Sequence, residues 1–200
     1  MSGSRMSGPQ RRAQLVGLAS RGVSEQGYLP APLENLAQRA GVSKPVIYAH
    51  FGDAAGLYNA VLEDGLKALL AAGLETAVAR PNIEDAACEA AEIFLRFMAR
   101  EGTALHIIYR DGYMVGRLSP FATATRNRIL GGLARRLRSE FRLTSSEAIA
   151  AVNLMLALPE EGGRLAFQGQ LAEERAVLVC RELVLGCLDA LRARDVVQPD

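Results

Sequence analysis

Nearly every stretch of this chain spaces its apolar residues by three and four. No stretch alternates them by two for long enough to make a half-buried strand. That pattern restricts the chain to an all-α fold, because each segment must bury a helical stripe against another helix. Its 200 residues, half of them hydrophobic, suffice for a small domain joined to a larger one with a real core.

Breakers set the helix limits. A first helix is expected from about Pro9 to Gln26, with Leu15, Leu18, Ala19 and Val23 on one face and Gly27 just past its end. Tyr28-Leu29-Pro30-Ala31-Pro32 connects it to a second helix, Leu33–Ala40, stopped by Gly41. Ser43 is a good N-cap, with Pro45 in the first turn of a third helix that runs to about His50. Asp53 can cap a long fourth helix through Ala79. Further helices are expected near Ile83–Arg100, Ala104–Arg110 and Ser119–Phe141. Thr144 or Ser145 then opens an apolar helix that Pro159 and Gly162-Gly163 disturb, and a last helix covers about Leu171–Arg194.

Residues 33–51 carry the strongest signal. Two short helices meet around Gly41, small Ala37 permits close approach, and Leu33, Leu36, Val42 and Ile47 supply a miniature core. This is the physical recipe of a helix-turn-helix, whose second helix enters the major groove of DNA. Its outward residues Ser43, Lys44, Tyr48 and His50 can all donate hydrogen bonds to phosphate oxygens and base-edge acceptors. Charge is distributed to match. Residues 1–60 carry six Lys/Arg against three acids, and the remainder carries 17 against 19.

Gly27-Tyr28, Leu36-Ala37, Ala40-Gly41-Val42-Ser43-Lys44, Ile47-Tyr48, His50-Phe51 and Leu57 together closely resemble the head of tetracycline-repressor (TetR) family regulators, over roughly residues 10–62. The resemblance implies a helix-turn-helix head at 9–53 and a helical ligand-binding and dimerisation body at 54–195. It implies that Ser43, Lys44 and Pro45 face the bases while Tyr48 and His50 grip phosphates. The function implied is a ligand-responsive repressor that binds a palindromic double-stranded DNA operator as a dimer and is released by a small hydrophobic or aromatic effector. Three departures stand out. Ala31-Pro32 replaces a usual Thr-Ser cap, Ala54 stands where Lys is common, and Pro45 occupies a position commonly Gly or small. They predict fewer phosphate contacts and a shallower salt dependence.

In the body, polar residues interrupt apolar faces. An effector pocket is expected to use Phe97, Met98, His106, Tyr109, Tyr113 and Asn153. The apolar runs Ala148–Leu158 and Ala176–Leu191 are too apolar to face water on their outer sides, and the resemblance implies that the last two long helices build a homodimer, with Leu178, Leu183, Leu185, Leu188 and Leu191 in that role. Arg126, Arg128, Arg135, Arg136 and Arg138 read as a solvated helix face, and Glu160-Glu161 as a solvated helix break.

Other classes find no support. The chain lacks a nucleophile elbow, a phosphate-cradling glycine loop, a zinc-protease motif and any metal-ligand spacing, so no enzyme, cofactor or metal is expected. Cys88, Cys180 and Cys187 show no CxxC spacing and read as buried thiols. The polar N-terminus and the absence of a long apolar run lead to the expectation of a cytoplasmic protein with no membrane partner. The alternative is a helical small-molecule or protein-binding scaffold that binds no DNA.

Overall fold

The computed structural model describes residues 6–29 and 33–197. Among them it forms ten α-helices, one 3-10 turn and no strand, the all-α fold expected. The helices are α1 (Gly8–Gln26), α2 (Leu33–Ala40), α3 (Lys44–Phe51), α4 (Ala54–Ala71), α5 (Leu74–Val78), α6 (Ile83–Glu101), α7 (Ala104–Arg110), α8 (Pro120–Glu140), α9 (Ser145–Phe167) and α10 (Glu173–Val197). The 3-10 turn, Gly112–Met114, lies between α7 and α8. No described helix is long and apolar enough to cross a membrane.

Two expectations about breakers are corrected. The fourth helix does not reach Ala79. Gly73 adopts φ 94°, a left-handed conformation that cannot continue a right-handed helix, and α5 starts there anew. Conversely, α9 runs unbroken through Pro159 and both glycines for 23 residues. The proline forfeits one backbone hydrogen bond, and the rest of the helix carries the segment past it.

Packing divides the chain into two compact units. One unit holds the chain up to Gly65 together with Thr103–Ala122, and the other holds Leu66–Gly102 and the chain from Thr123 onward. The transition after Gly65 falls within α4.

In the second unit α6, α9 and α10 surround a core that includes Leu95, Leu137, Phe141, Val152, Val184 and Leu188. The glycines of α9 serve this packing. A Cβ on Gly163 would lie 2.5 Å from the Met98 Cβ and 2.9 Å from the Leu95 carbonyl oxygen, so α6 occupies the space a side chain would need. At the α10 N-terminus, Arg96 of α6 donates to Glu173 at 2.8 Å and to Glu174 at 2.7 and 2.9 Å. Both acceptors sit in the first turn of α10, where carboxylates also suit the helix dipole. The arginines of α8 are not all solvated. Arg136 donates to the carbonyls of Val78 at 2.6 Å and Pro81 at 2.9 Å, and Arg128 pairs with Glu75. Glu160 is buried, unlike its exposed neighbour Glu161. Cys88 and Cys180 are buried and Cys187 half-buried, and burial pushes the Cys180 thiol up to about 11.

A reciprocal box closes the α9 N-terminus. The Glu147 amide donates to Thr144 Oγ1 at 3.3 Å, and Glu147 Oε2 accepts from the Thr144 amide at 2.8 Å. Arg194 donates to the other carboxylate oxygen at 2.7 Å. These donors, the Thr144 amide first, hold the Glu147 carboxyl down at about 2.

Two outcomes follow for the second unit. Gly163→Ala should destabilise it by about 1–3 kcal/mol despite alanine's better helix propensity, because backbone of α6 blocks the new methyl. Gly162→Ala should cost less, since its Cβ meets the movable Leu95 Cδ1 at 2.7 Å. Chemical denaturation of both variants measures the order, and equal costs would contradict it. For Glu147, the folded value lies below the ordinary 4.5, so its contribution is complete above that pH and fades as pH falls toward 2. Glu147→Gln should therefore lower the melting temperature most above pH 4.5 and flatten its fall below that. A variant profile parallel to the unmodified one would count against the assignment.

Candidate nucleic-acid interface

The first unit builds its outward face from α3. That helix has eight residues and buries one of them, Ile47, at 1% exposure. A helix this short does not persist alone, so its neighbours must hold it. The turn before it is closed by the Val42 amide donating to the Ala37 carbonyl at 3.0 Å and the Gly41 amide to Gln38 at 3.1 Å. At its far end the Gly52 amide donates to the Tyr48 carbonyl at 2.8 Å. Arg12 of α1 lies over the Phe51 ring, 5.3 Å from its centroid. Arg11 donates to the Ala40 carbonyl at 3.1 Å and to Gln14 at 2.6 Å, fastening α1 to the C-terminal end of α2. Arg39 and Glu25 pair bidentately at 2.8 and 3.3 Å between α2 and α1. Arg11 and Arg12 thus work inside the unit, a role that periodicity could not distinguish from that of any other charged helix residue.

The five residues expected at DNA share this one short segment. Ser43 is the exposed N-cap of α3, and its side chain makes no capping bond. Lys44 and Pro45 occupy the first turn, with Pro45 exposed and the Lys44 Nζ donating to Glu34 Oε1 of α2. Tyr48 is 44% exposed on the next turn. His50 is half-buried, its ring tilted against Phe51 with centroids 6.0 Å apart. A run of donors around one helix N-terminus suits an anionic, acceptor-rich surface. Asp53 accepts from the Gly56 amide at 2.7 Å and so caps α4, as expected, while Ala31 and Pro32 lie outside the described residues.

Sequence reading missed how the segment 103–122 joins this unit. Ser24 Oγ accepts from the Ala104 amide at 3.0 Å, and the Leu29 amide donates to Asp111 Oδ2 at 3.3 Å. Asn59 of α4 clasps the following loop, donating to the Arg117 carbonyl at 2.7 Å and accepting from the Ser119 amide at 2.8 Å. The Tyr58 and Tyr113 rings meet edge to face at 6.1 Å, with Arg117 stacked over Tyr113 at 4.4 Å. Each of these hydrogen bonds joins residues that lie far apart in the chain, which no local spacing announces.

The six expected effector contacts are divided. His106, Tyr109 and Tyr113 belong to the first unit, and Phe97, Met98 and Asn153 to the second. Met98 is fully buried against α9, and Phe97 and His106 are half-buried. The Tyr109 hydroxyl donates to the Ala122 carbonyl at 2.9 Å, and the Asn153 amide to Ile149 of its own helix at 2.8 Å. A cavity of about 220 Å³ lies within the first unit, lined by residues including Leu18, Gly22, Gln26, Leu36, Arg39 and Leu57, and none of the six reaches it.

Of the five leucines expected at a subunit contact, Leu178 and Leu183 are each 50% exposed. Leu188 is corrected, being fully buried in the core of its own subunit, where Leu185 and Leu191 also pack in part. Leu154 at 74% and Ile149 at 55% extend the exposed apolar surface onto α9.

Residues 17–61 match the family model described as bacterial regulatory proteins, tetR family. Among curated relatives, the HTH-type transcriptional activator FasR of Mycolicibacterium smegmatis is 31% identical over 112 residues, 56% of this chain and 51% of its own. The HTH-type transcriptional regulator BetI of Burkholderia ambifaria is 38% identical over 69 residues, 34% of this chain and 36% of its own. The chain thus spans about half the length of FasR and about a third of BetI. A TetR-like transcriptional regulator from a Rhodococcus species shares the fold with TM-score 0.66 at 20% identity, over 90% of this chain and 97% of that one. PfmR, a TetR family regulator from Thermus thermophilus, gives 0.60 at 22% identity, over 88% and 97%.

Proposed function

We propose, because residues 17–61 match the tetR family model and the chain shares its fold with a TetR-like regulator, that it is a DNA-binding transcriptional regulator of that family whose operator affinity is controlled by a small molecule. The observation that carries this reading is α3, an eight-residue helix with Ile47 alone buried, which leaves Pro45 and Tyr48 exposed and sets Ser43, Lys44, Tyr48 and His50, all able to donate hydrogen bonds, along one short segment. In this reading Ser43, Lys44 and Pro45 meet base edges in the major groove, and Tyr48 and His50 bind backbone phosphates. A scaffold that binds no DNA would leave that surface without a partner.

One eight-residue helix contacts too few base pairs to select an operator, so the regulator acts as a two-fold dimer. Its two reading helices then lie about 34–36 Å apart in successive major grooves of a palindrome. The exposed apolar residues of α9 and α10, led by Leu154, Leu178 and Leu183, support a subunit contact through the last two long helices. The effector is small and largely apolar or aromatic. It lowers operator affinity by binding the two states of the dimer unequally. Repression is the simplest outcome of an operator-bound dimer. FasR is named an activator, so a reporter driven from the selected site reads the sign.

Selection of bound fragments from sheared genomic DNA by the purified protein should enrich a palindrome with half-sites about one helical turn apart. Tyr48→Phe should then weaken operator binding on the order of tenfold by removing one hydrogen bond to a charged phosphate, with the melting temperature unchanged. Absence of any enrichment at low salt would refute the DNA reading. Leu154→Glu and Leu183→Glu should each yield a helical monomer in sedimentation equilibrium. A dimer that survives both would put the subunit contact elsewhere.

A further inference from the structure

Beside the outward face of α3 stands an acid that recognition of DNA does not call for. Glu34, in the first turn of α2, has a side chain 63% exposed, and its carboxylate accepts from the ammonium of Lys44, itself 40% exposed. Lys44 opens α3, where the unpaired backbone groups are N–H donors and the helix dipole is positive. Its ammonium therefore finds no acceptor in its own helix and is disfavoured by the dipole there. The Glu34 carboxylate supplies what a phosphate oxygen or a guanine edge would otherwise supply. The neighbouring acid of α1, Glu25, is engaged differently, held bidentately by Arg39.

A duplex approaching this face meets a lysine whose charge is already matched. To use it, the nucleic acid must displace the carboxylate, which then stands unneutralised beside the phosphates. We propose that Glu34 is a positioning residue that holds Lys44 as an internal substitute for the acceptors of DNA. It thereby sets how tightly the head binds duplex and how many counterions that binding releases. The inference rests on the DNA-reading function proposed above and adds the residue that tunes it.

The test uses the full-length protein and mixed-sequence duplex DNA, with binding followed by fluorescence anisotropy across a salt series. Four proteins are compared: unmodified, Glu34→Gln, Lys44→Met and the double variant, with melting temperatures as the check on folding. Glu34→Gln should bind about two- to fivefold tighter at about 0.1 M salt, the scale of an exposed ion pair. Its slope of log K against log salt should steepen by about 0.9, one further counterion released. Most of that gain should vanish in the Lys44→Met background. An equal gain in both backgrounds would mean that Glu34 acts only as a distant negative charge, and no gain would mean that it does not compete at all. Either result overturns the inference while leaving DNA binding intact. Failure of all four proteins to bind would instead overturn the DNA reading, and the inference with it.

Discussion

A short helix with a single buried residue must be held in place by its neighbours, and that constraint governs the first unit. With Ile47 as its single buried residue and Val46 and Phe51 half-buried, α3 contributes little core to its own placement. The cost is carried by its surroundings: the bonded turn at Ala37–Val42, the Arg12–Phe51 stack and the Arg11 latch onto Ala40. Two of those devices use arginines that by charge alone would be assigned to phosphate. A head with six basic residues in its first 60 thus spends several on internal fastening, leaving Lys44 as the one on the reading helix.

The same unit includes a segment from far along the chain. Ser24, Leu29 and Asn59 each hold a backbone or carboxylate group of residues 104–119. Asp111 accepts from Leu29 with one oxygen and from the Tyr113 amide, at 2.8 Å, with the other. A displacement of α7 or of the turn after it therefore strains bonds to α1 and α4, the helices that bracket the helix-turn-helix in the chain.

What the sequence made legible follows from what periodicity encodes. The helices of the head, Gly41 at its turn, and the outward set Ser43, Lys44, Tyr48 and His50 are local patterns and could be read directly. Breakers were harder, because a glycine has two uses. Gly73 ends a helix through its positive φ, while Gly163 admits α6 at a crossing, and nothing in the adjacent residues distinguishes the two. Apolar faces raise the same difficulty. Leu183 and Leu188 fall in one leucine-rich run, yet one is half exposed and the other sealed inside its subunit. Periodicity reports that α10 has more apolar surface than one face can hold, and only packing tells which side the subunit itself uses. Arg136 looked solvated because its acceptors, the carbonyls of Val78 and Pro81, are distant in the chain.

An isolated chain therefore leaves two surfaces unsatisfied, and in opposite chemical senses. The outward side of α3 offers donors that water can satisfy but that an anionic polymer satisfies with release of counterions. The outward sides of α9 and α10 offer Leu154, Leu178 and Leu183, which water solvates at a loss. The second demand makes the first one useful. In the proposed function, a single head with one lysine on α3 would bind duplex weakly, and a carboxylate competing for Lys44 would weaken it further. In the proposed dimer, joining two heads would turn the second docking into an intramolecular event at high effective concentration, so that weak heads could still select an operator. Weak individual heads are also what a switch requires. If each head bound tightly alone, a change in the spacing of the pair would cost little affinity, and a ligand with a few kcal/mol of preference between states could not release the DNA.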